Sequence, residues 1–429
     1  MGFDKDFKPI LRFLVVSDVH YQDEETVERE RMRKALTTAY ELSDSQEYSK
    51  LDALFVVGDF ATRGTEPQML AFKETLDAHL REETQSVLSL ASHEFMHDGE
   101  EGALERFAKI FAKTPDTHVV INGYHFISVS CTGGCHFDDA KQAWVAKELE
   151  AAAEDHPTRP IFFFQHPHIT DTVHGSINWG EDELTAILMN YPQVIDFSGH
   201  SHAPINDPRS IHQRHFTCLG TGTLSYFELD EFDKVYGTHP PQNEIAAQML
   251  IVEADAQDRV RIYPYDLITS NFFPYTWKID SAWDVTSYLY TDDRYKTTER
   301  PWFEDGAEIA ISDKTENGFT VTFDQAKVKT DYVDDYNVIL KNENGVTVRN
   351  STVWSNYHLY EMPEKISVSF DKIKAGKYHV EVWANSFWKT KTEKPLVSET
   401  IEFRCLSGTL RLISAMCLIF FEVCIRIKQ

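Results

Sequence analysis

Five short stretches of the chain carry carboxylates, hydroxyls or imidazoles. Asp18 and His20 stand two apart, Asp59 follows Gly58, and Ser92, His93 and Glu94 are consecutive. His166 precedes Pro167, and His200 and His202 again stand two apart. Two carboxylates plus several imidazoles suit manganese, iron or zinc, whereas all-oxygen sites suit magnesium or calcium. Six or more ligands are too many for one tetrahedral ion, and a carboxylate can bridge two. The natural use is a two-metal site with ions roughly 3.5–4 Å apart. Two divalent cations against two carboxylates leave a net positive hole, which attracts phosphate oxygens, polarises phosphorus and lowers the pKa of a bridging water.

Each stretch ends an apolar run of strand length: Phe13 to Val16, Leu51 to Val57, Ser86 to Leu90, Pro160 to Phe164 and Val194 to Phe197. Buried strands of an α/β sheet read this way, and their C-terminal ends open on the crevice where such folds bind ligands. Residues two apart on an extended strand share a face. Asp18 and His20 are therefore expected to grip one ion if the strand stays extended there. Helices are expected between the strands: Asp23 to Ser43, a helix capped by Thr65 and running to Leu80, Glu101 to Ala112, and Asp138 to Ala153 with Trp144 and Leu149 buried. Asn122-Gly123 marks a hairpin within Val119 to Ser130. Short β runs follow at Phe216 to Leu224, Ala246 to Val252 and Val260 to Tyr263. Alternation of this kind predicts a layered α/β domain.

From about Asn271 the texture changes to Pro, Trp and Tyr without a helical period, and from Glu308 to Phe403 to short alternating runs separated by turns such as Glu343-Asn344-Gly345. About seven such strands predict an immunoglobulin- or fibronectin-like sandwich, with Trp383 and Trp388 as packing residues. The tail from Cys405 to Gln429 breaks this pattern. Its uncharged run Leu412 to Phe421 is too short to span a bilayer. An interfacial anchor and an aberrant end are both open, the second preferred.

A chain of 429 residues exceeds one hydrophobic core, so two domains are expected. Lys+Arg of 42 against Asp+Glu of 68 gives a net charge of −26, which argues against nucleic acid or anionic lipid as a partner. The N-terminus carries acids before the first strand and reads as neither a signal peptide nor a myristoylation site, since residue 6 is Asp. The six cysteines are scattered, which fits free thiols in the reducing cytoplasm. Cys131 and Cys135 flank Gly133-Gly134 and read as ordinary thiols in a loop that could line a substrate mouth; His136 and His168 read as structural.

The ordered set of motifs resembles the calcineurin-like metallophosphoesterases. That family's blocks correspond here to Asp18-Val19-His20, Gly58-Asp59-Phe60-Ala61-Thr62-Arg63-Gly64, Ala91-Ser92-His93-Glu94, His166-Pro167 and Gly199-His200-Ser201-His202. The resemblance covers about residues 9–265. It implies a layered β-sandwich core flanked by helices over residues 1–270; the change of texture beyond it sets off a linker (271–307), the all-β sandwich (308–404) and the hydrophobic tail (405–429). The resemblance also implies that Asp18, His20 and His202 hold one metal, that Asp59 bridges, and that His166 and His200 hold the other. The two divalent ions would be manganese, iron or zinc. His93 would protonate the leaving oxygen or steady the phosphoryl group, and Arg63 stands where relatives place a phosphate-contacting arginine; a surface ion pair is its other reading.

Three positions depart from the family pattern. Thr62 replaces Asp or Asn, and Ala91 and Ser92 replace Gly and Asn. The asparagine would give its amide oxygen to the second metal, and a serine hydroxyl is a shorter, poorer ligand, so Ser92 is expected to bind that ion weakly. The expected activity is hydrolysis of small phosphodiesters or monoesters, including nucleotides or cyclic nucleotides, by a metal-bound hydroxide. The alternative is a degenerate member serving as a binding scaffold. A nuclease is disfavoured by the lack of basic runs. No stable membrane span is expected, and the partner of the C-terminal sandwich stays open.

Overall fold

The computed structural model describes residues 2–232, 237–329 and 331–404. The chain runs β1 (Pro9–Val16), α1 (Val27–Asp44), β2 (Ala53–Val57), α2 (Glu66–His79), β3 (Gln85–Ser89), α3 (Gly99–Phe111), β4 (Thr117–Ile121), β5 (Tyr124–Ser128), α4 (Asp139–Asp155) and β6 (Ile161–Phe164). A two-residue pair, β7 (His168–Ile169) and β8 (Gly180–Glu181), flanks the short helix α5 (Ser176–Trp179). Then come α6 (Thr185–Leu188), β9 (Val194–Ser198), β10 (Ile211–Gln213), β11 (Thr217–Gly220), β12 (Gln248–Asp255), β13 (Val260–Asp266), β14 (Asn271–Phe272) and β15 (Trp277–Ile279).

These strands form two mixed sheets. One has the order β14-β13-β12-β1-β2-β3, with β15 also on β13; the other has the order β10-β11-β9-β6-β5-β4. Strands β1, β2 and β3 pair in parallel, as do β5, β6, β9 and β11 in the order β5-β6-β9-β11. The apolar runs are continuous because both faces of each sheet are covered. Leu11, Phe13 and Val15 point into a core between the sheets, against Phe126, Phe162, Phe164 and Phe197; Leu14 and Val16 point outward under the helices. Phe13 touches five of the surrounding phenyl rings edge-on. Truncating a ring so enclosed costs about 3–5 kcal/mol.

The helices follow the expected ranges within a few residues. α1 buries Met32, Ala35, Leu36, Ala39 and Tyr40 on one stripe. The Thr65 side chain accepts from the Gln68 amide and caps α2, with Pro67 in its first turn. In α4 the buried residues are Val145, Leu149 and Ala152, whereas Trp144 is only half-buried, because its indole lies at the edge of the buried stripe. The segment read as a linker starts by adding β14 and β15 to the first sheet, since Tyr265, Ile262 and Val260 on β13 leave an edge for them to pair with.

Beyond residue 308 the chain is all β: β16 (Ile309–Ser312), β17 (Phe319–Asp324), β18 (Val333–Asn342), β19 (Thr347–Trp354), β20 (Lys365–Phe370), β21 (Gly376–Ser386), β22 (Leu396–Val397) and β23 (Ile401–Phe403). They make sheets β16-β17-β20 and β19-β18-β21-β22, with β23 on β21. Inward residues of both, among them Phe319, Phe323, Tyr336, Leu340 and Val380, share one core. This region grips the first one just past His202. Asn206 donates to the Tyr357 carbonyl, and the Tyr357 hydroxyl donates to Asp207 at 3.1 Å. Arg209 lies over the Phe387 ring and Arg294 over Trp388, which itself donates to Asp331 at 2.9 Å. The tail 405–429 lies outside the described residues.

Candidate metal centre

The C-terminal ends of five parallel strands converge at one edge of the two sheets. β1 leads to Asp18 and His20, β2 to Asp59, β3 to Ser92 and His93, β6 to His166, and β9 to His200 and His202. The strand β1 ends at Val16, so Asp18 and His20 do not share a face of an extended strand as the spacing suggested. Both lie in the left-handed region, with φ of 51° and 57°. Asp59 (49°), His200 (68°) and His202 (52°) do the same. Each costs about 1–3 kcal/mol and persists only where surrounding structure over-determines it. Here the loops are cross-tied. The Asp18 amide donates to Gly58 O, His20 N to Asp59 O, Gly199 N to His166 O, and Leu224 N to Asp18 O.

Two glycines allow the closest approaches. A Cβ on Gly58 would lie 2.5 Å from His166 Nδ1, and one on Gly199 would lie 2.5 Å from Asp18 Oδ2. Glu94, quoted in the sequence motif without a role, is fully buried and stitches two loops together. Its carboxylate accepts from the amides of Asp59 at 3.1 Å, Ala61 at 2.9 Å and Ala91 at 2.9 Å.

The donors gather in overlapping groups whose ligand atoms lie within 4.8 Å of one another. They are Asp18, His20 and His202; Asp18, Asp59 and His166; His20, Asp59 and His93; and Cys135, His166 and His200. His202 Nε2 stands 3.1 Å from His20 Nε2 and 3.3 Å from Asp18 Oδ1. The other nitrogen of His202 donates to the Tyr226 carbonyl at 2.8 Å, so Nε2 presents a lone pair. Two imidazole nitrogens bound to one ion at about 2.0–2.1 Å stand roughly 2.9–3.4 Å apart, so a cation fits between these rings.

His166 repeats the pattern. It is fully buried, its Nδ1 donates to the Val57 carbonyl at 2.7 Å, and its Nε2, 2.9 Å from Asp59 Oδ2, has no hydrogen-bond partner. Two lone pairs face each other across that gap, and only a proton or a cation reconciles them. Burial opposes a proton there, but Asp59 and Asp18 hold the His166 pKa well above the usual imidazole value. For Asp59 burial acts to raise the pKa, and His166 outweighs it, holding the carboxyl well below the usual range. Burial pushes Asp18 up to about 6 and His20 down to about 3. A buried neutral imidazole beside a carboxylate is the donor set that a divalent ion takes.

Ser92 places its hydroxyl 3.4 Å from Asp59 Oδ2. His93 is part-exposed; its amide donates to Asp59 Oδ1 at 3.0 Å and its Nδ1 bonds the Thr62 carbonyl at 2.8 Å. Its Nε2 is left facing the ligand cluster, 4.0 Å from Asp59 Oδ2. Arg63 is exposed on the same loop, and among the described residues no ion pair holds its side chain. His168 is buried between Ser198 and Ser201 hydroxyls, each at 2.7 Å, which is a structural role. His136 instead meets Glu181 and Glu183, each at 3.3 Å, near the rim. Sequence reasoning missed Tyr226 and took Cys135 for an ordinary thiol. The Tyr226 ring packs on His202 at 4.2 Å between centroids, and Trp179 meets His200 edge-on at 4.9 Å. A cavity of about 750 Å³ lies elsewhere, between the two regions, lined by Arg209, His212, Arg294 and Trp388. No helix among the described residues is long and apolar enough to cross a membrane.

Residues 11–204 match the family model described as calcineurin-like phosphoesterase. No curated protein matches the chain. Among solved structures, the chain resembles a purple acid phosphatase from yellow lupin (Lupinus luteus) seeds at 11% identity and TM-score 0.44, over 63% of this chain and 53% of that one. It also resembles chicken CNTN1 FN1-FN3 domains at 15% identity and TM-score 0.18, over 36% of this chain and 40% of that one. Domains d3-d4 of the rat CD45 extracellular region match at 14% identity and TM-score 0.17, over 24% of this chain and 51% of that one. The chain thus spans about half the length of the lupin and rat proteins or less of the chicken one. The fold is the mixed α/β arrangement of the metallophosphoesterases, with additional all-β sheets in the C-terminal region.

Proposed function

We propose that this protein hydrolyses small phosphoesters with two divalent ions, in the manner that the family match supports. The observation that carries this reading is the buried His166 Nε2, unpartnered 2.9 Å from Asp59 Oδ2, beside the facing nitrogens of His20 and His202. In this reading Asp18, His20 and His202 hold one ion. Asp59 bridges, and His166 and His200 hold the other, with Ser92 beside them. Ions bound there would supply Lewis acidity toward the phosphoryl oxygens and would acidify a coordinated water. Donor types favour manganese, iron or zinc.

The chain's own residues do the rest. The Val57 and Tyr226 carbonyls fix the tautomers of His166 and His202. The Thr62 carbonyl orients His93 so that Nε2 can give a proton to a departing alkoxide or hold a phosphoryl oxygen. Arg63, free on its loop, adds a bidentate donor for a phosphate oxygen. Tyr226 and Trp179 wall the mouth with aromatic faces, which suits a phosphoester carrying a nucleoside or another flat group. The two C-terminal sheets around one core are read as an immunoglobulin- or fibronectin-like sandwich that buttresses the loop after His202. A cytoplasmic setting fits the free thiols Cys131, Cys135 and Cys218.

The test is metal analysis of the purified protein together with turnover of bis-nitrophenyl phosphate, nitrophenyl phosphate and cyclic nucleotides with added manganese, iron or zinc. Two bound ions and metal-dependent turnover of at least one ester are expected. Two bound ions without turnover of any ester would leave the binding-scaffold reading, which the family departures, Ser92 in place of asparagine above all, favour.

A further inference from the structure

We propose that Cys135 is a protein ligand of the second ion, completing the set that Asp59, His166 and His200 begin; the proposal rests on the two-metal reading. Cys135 Sγ, His166 and His200 offer donor atoms within 4.8 Å of one another. Sγ lies 4.0 Å from His200 Nδ1. A thiolate and an imidazole sharing one ion, at about 2.3 Å and 2.0–2.1 Å, stand roughly 3.6 Å apart, so closure needs a few tenths of an ångström. Independently, the fully buried His166 points an unpartnered Nε2 at the same spot.

The loop that carries Cys135 is built to reach this place. It leaves β5 in the second sheet and crosses to the end of β3 in the first, where the Cys131 amide donates to Leu90 O at 3.0 Å. Thr132 N donates to His136 O at 2.8 Å and closes the turn, with Gly133 and Gly134 at φ of 57° and 139°. The strand end to which Cys131 is tied runs on into Ala91-Ser92, where the short Ser92 hydroxyl reaches Asp59 at 3.4 Å. A cysteine from one loop then takes up the coordination that the neighbouring loop's serine supplies poorly.

Ligation exchanges the thiol proton for the ion and releases that proton to solvent. A thiolate is a soft donor, so the second site should prefer zinc, ferrous iron or cadmium to manganese or magnesium, while the first site, with Asp18, His20 and His202, should not. Cys131 is buried and its side chain hydrogen-bonds that of Cys135, but it lies outside the donor group, so it serves as the control for a contact without ligation.

The test is titration of metal-stripped full-length protein with cobalt(II), read by absorption and by calorimetry. The wild type is expected to take two equivalents, with a near-ultraviolet thiolate-to-cobalt charge-transfer band growing as the second site fills. Cys135→Ser should lose the band and bind the second equivalent at least about tenfold more weakly, since loss of even an outer-sphere partner costs that much. Cys131→Ser should keep the band. Two equivalents without a charge-transfer band in the wild type, or a band that survives Cys135→Ser, overturns the ligand assignment and leaves the two-metal reading standing. Fewer than two equivalents in the wild type overturns both. The wild-type spectrum decides the matter even if a variant folds poorly.

Discussion

His166 Nε2 stands 2.9 Å from Asp59 Oδ2, and both side chains are buried. A positive charge, as proton or metal, holds this pair together in the folded protein. Removing the carboxylate's charge removes the reason for an ion to stay. Asp59→Asn should reduce bound metal from two equivalents to one or none and abolish phosphodiester turnover, with far-ultraviolet circular dichroism unchanged. Metal content by mass spectrometry checks this; a variant that keeps both ions and turns over normally would exclude Asp59 as the bridge.

His93 contacts the cluster through its amide and its free Nε2 and is part-exposed. Loss of such a proton donor or phosphoryl-orienting group costs about 10²–10⁴-fold in rate. His93→Ala is expected to lose turnover within that range and keep both metals. The loss should shrink for esters with good leaving groups, such as nitrophenolate, because these need no proton. An equal loss for good and poor leaving groups would assign His93 to orientation rather than proton transfer.

Glu94 accepts three loop amides, from Asp59, Ala61 and Ala91. Glu94→Gln turns one acceptor oxygen into an NH₂ that faces amide donors. One or two of these buried amide hydrogen bonds, each worth about 0.5–1.5 kcal/mol, are then lost. Thermal stability should fall, and metal affinity should weaken even though the residue touches no ion. Calorimetric titration of the variant measures both effects. Unchanged affinity would show that the loops hold their shape without it.

Asp196 is fully buried on β9, and burial pushes its pKa up to about 8 despite two hydrogen bonds from Gln165 at 3.2 Å. A carboxyl whose folded pKa exceeds its unfolded value near 4 contributes stability at low pH and loses it as pH rises toward the folded value. Each tenfold difference in proton affinity between the folded and unfolded chain corresponds to about 1.4 kcal/mol. Asp196→Asn, neutral at all pH, should therefore match the wild type near pH 4 and exceed it increasingly toward pH 8. Melting temperature against pH reads this directly. A constant offset between the two proteins would mean that Asp196 is not protonated in the fold.

The strand ends show how far a sequence carries. Buried parallel strands must be apolar throughout, so Phe13 to Val16, Phe162 to Phe164 and Val194 to Phe197 were legible without coordinates. The residues that follow them, Asp18, His20, Asp59, His166, His200 and His202, stood out by their donor types, and the fold gathers their side chains at one edge of the sheets. The sequence also carried Thr65 as a helix cap and the Asn122-Gly123 hairpin, both of which depend on neighbours a few residues away.

What the sequence alone could not decide is how those ends meet. Spacing suggested that Asp18 and His20 align on an extended strand, but tertiary ties from Gly58, Asp59 and Thr223 hold both in the left-handed region. Local periodicity is silent about such a conformation. The positions of Glu94, Tyr226, Cys135 and the Tyr357 clamp on Asp207 were hidden for the same reason. Each acts on a partner tens to hundreds of residues away, and two sheets packed face to face bring these loops together. Cys135 is the clearest case. Its chemistry was plain from its letter, and only the crossing of its loop from one sheet to the other put that sulfur beside His166 and His200.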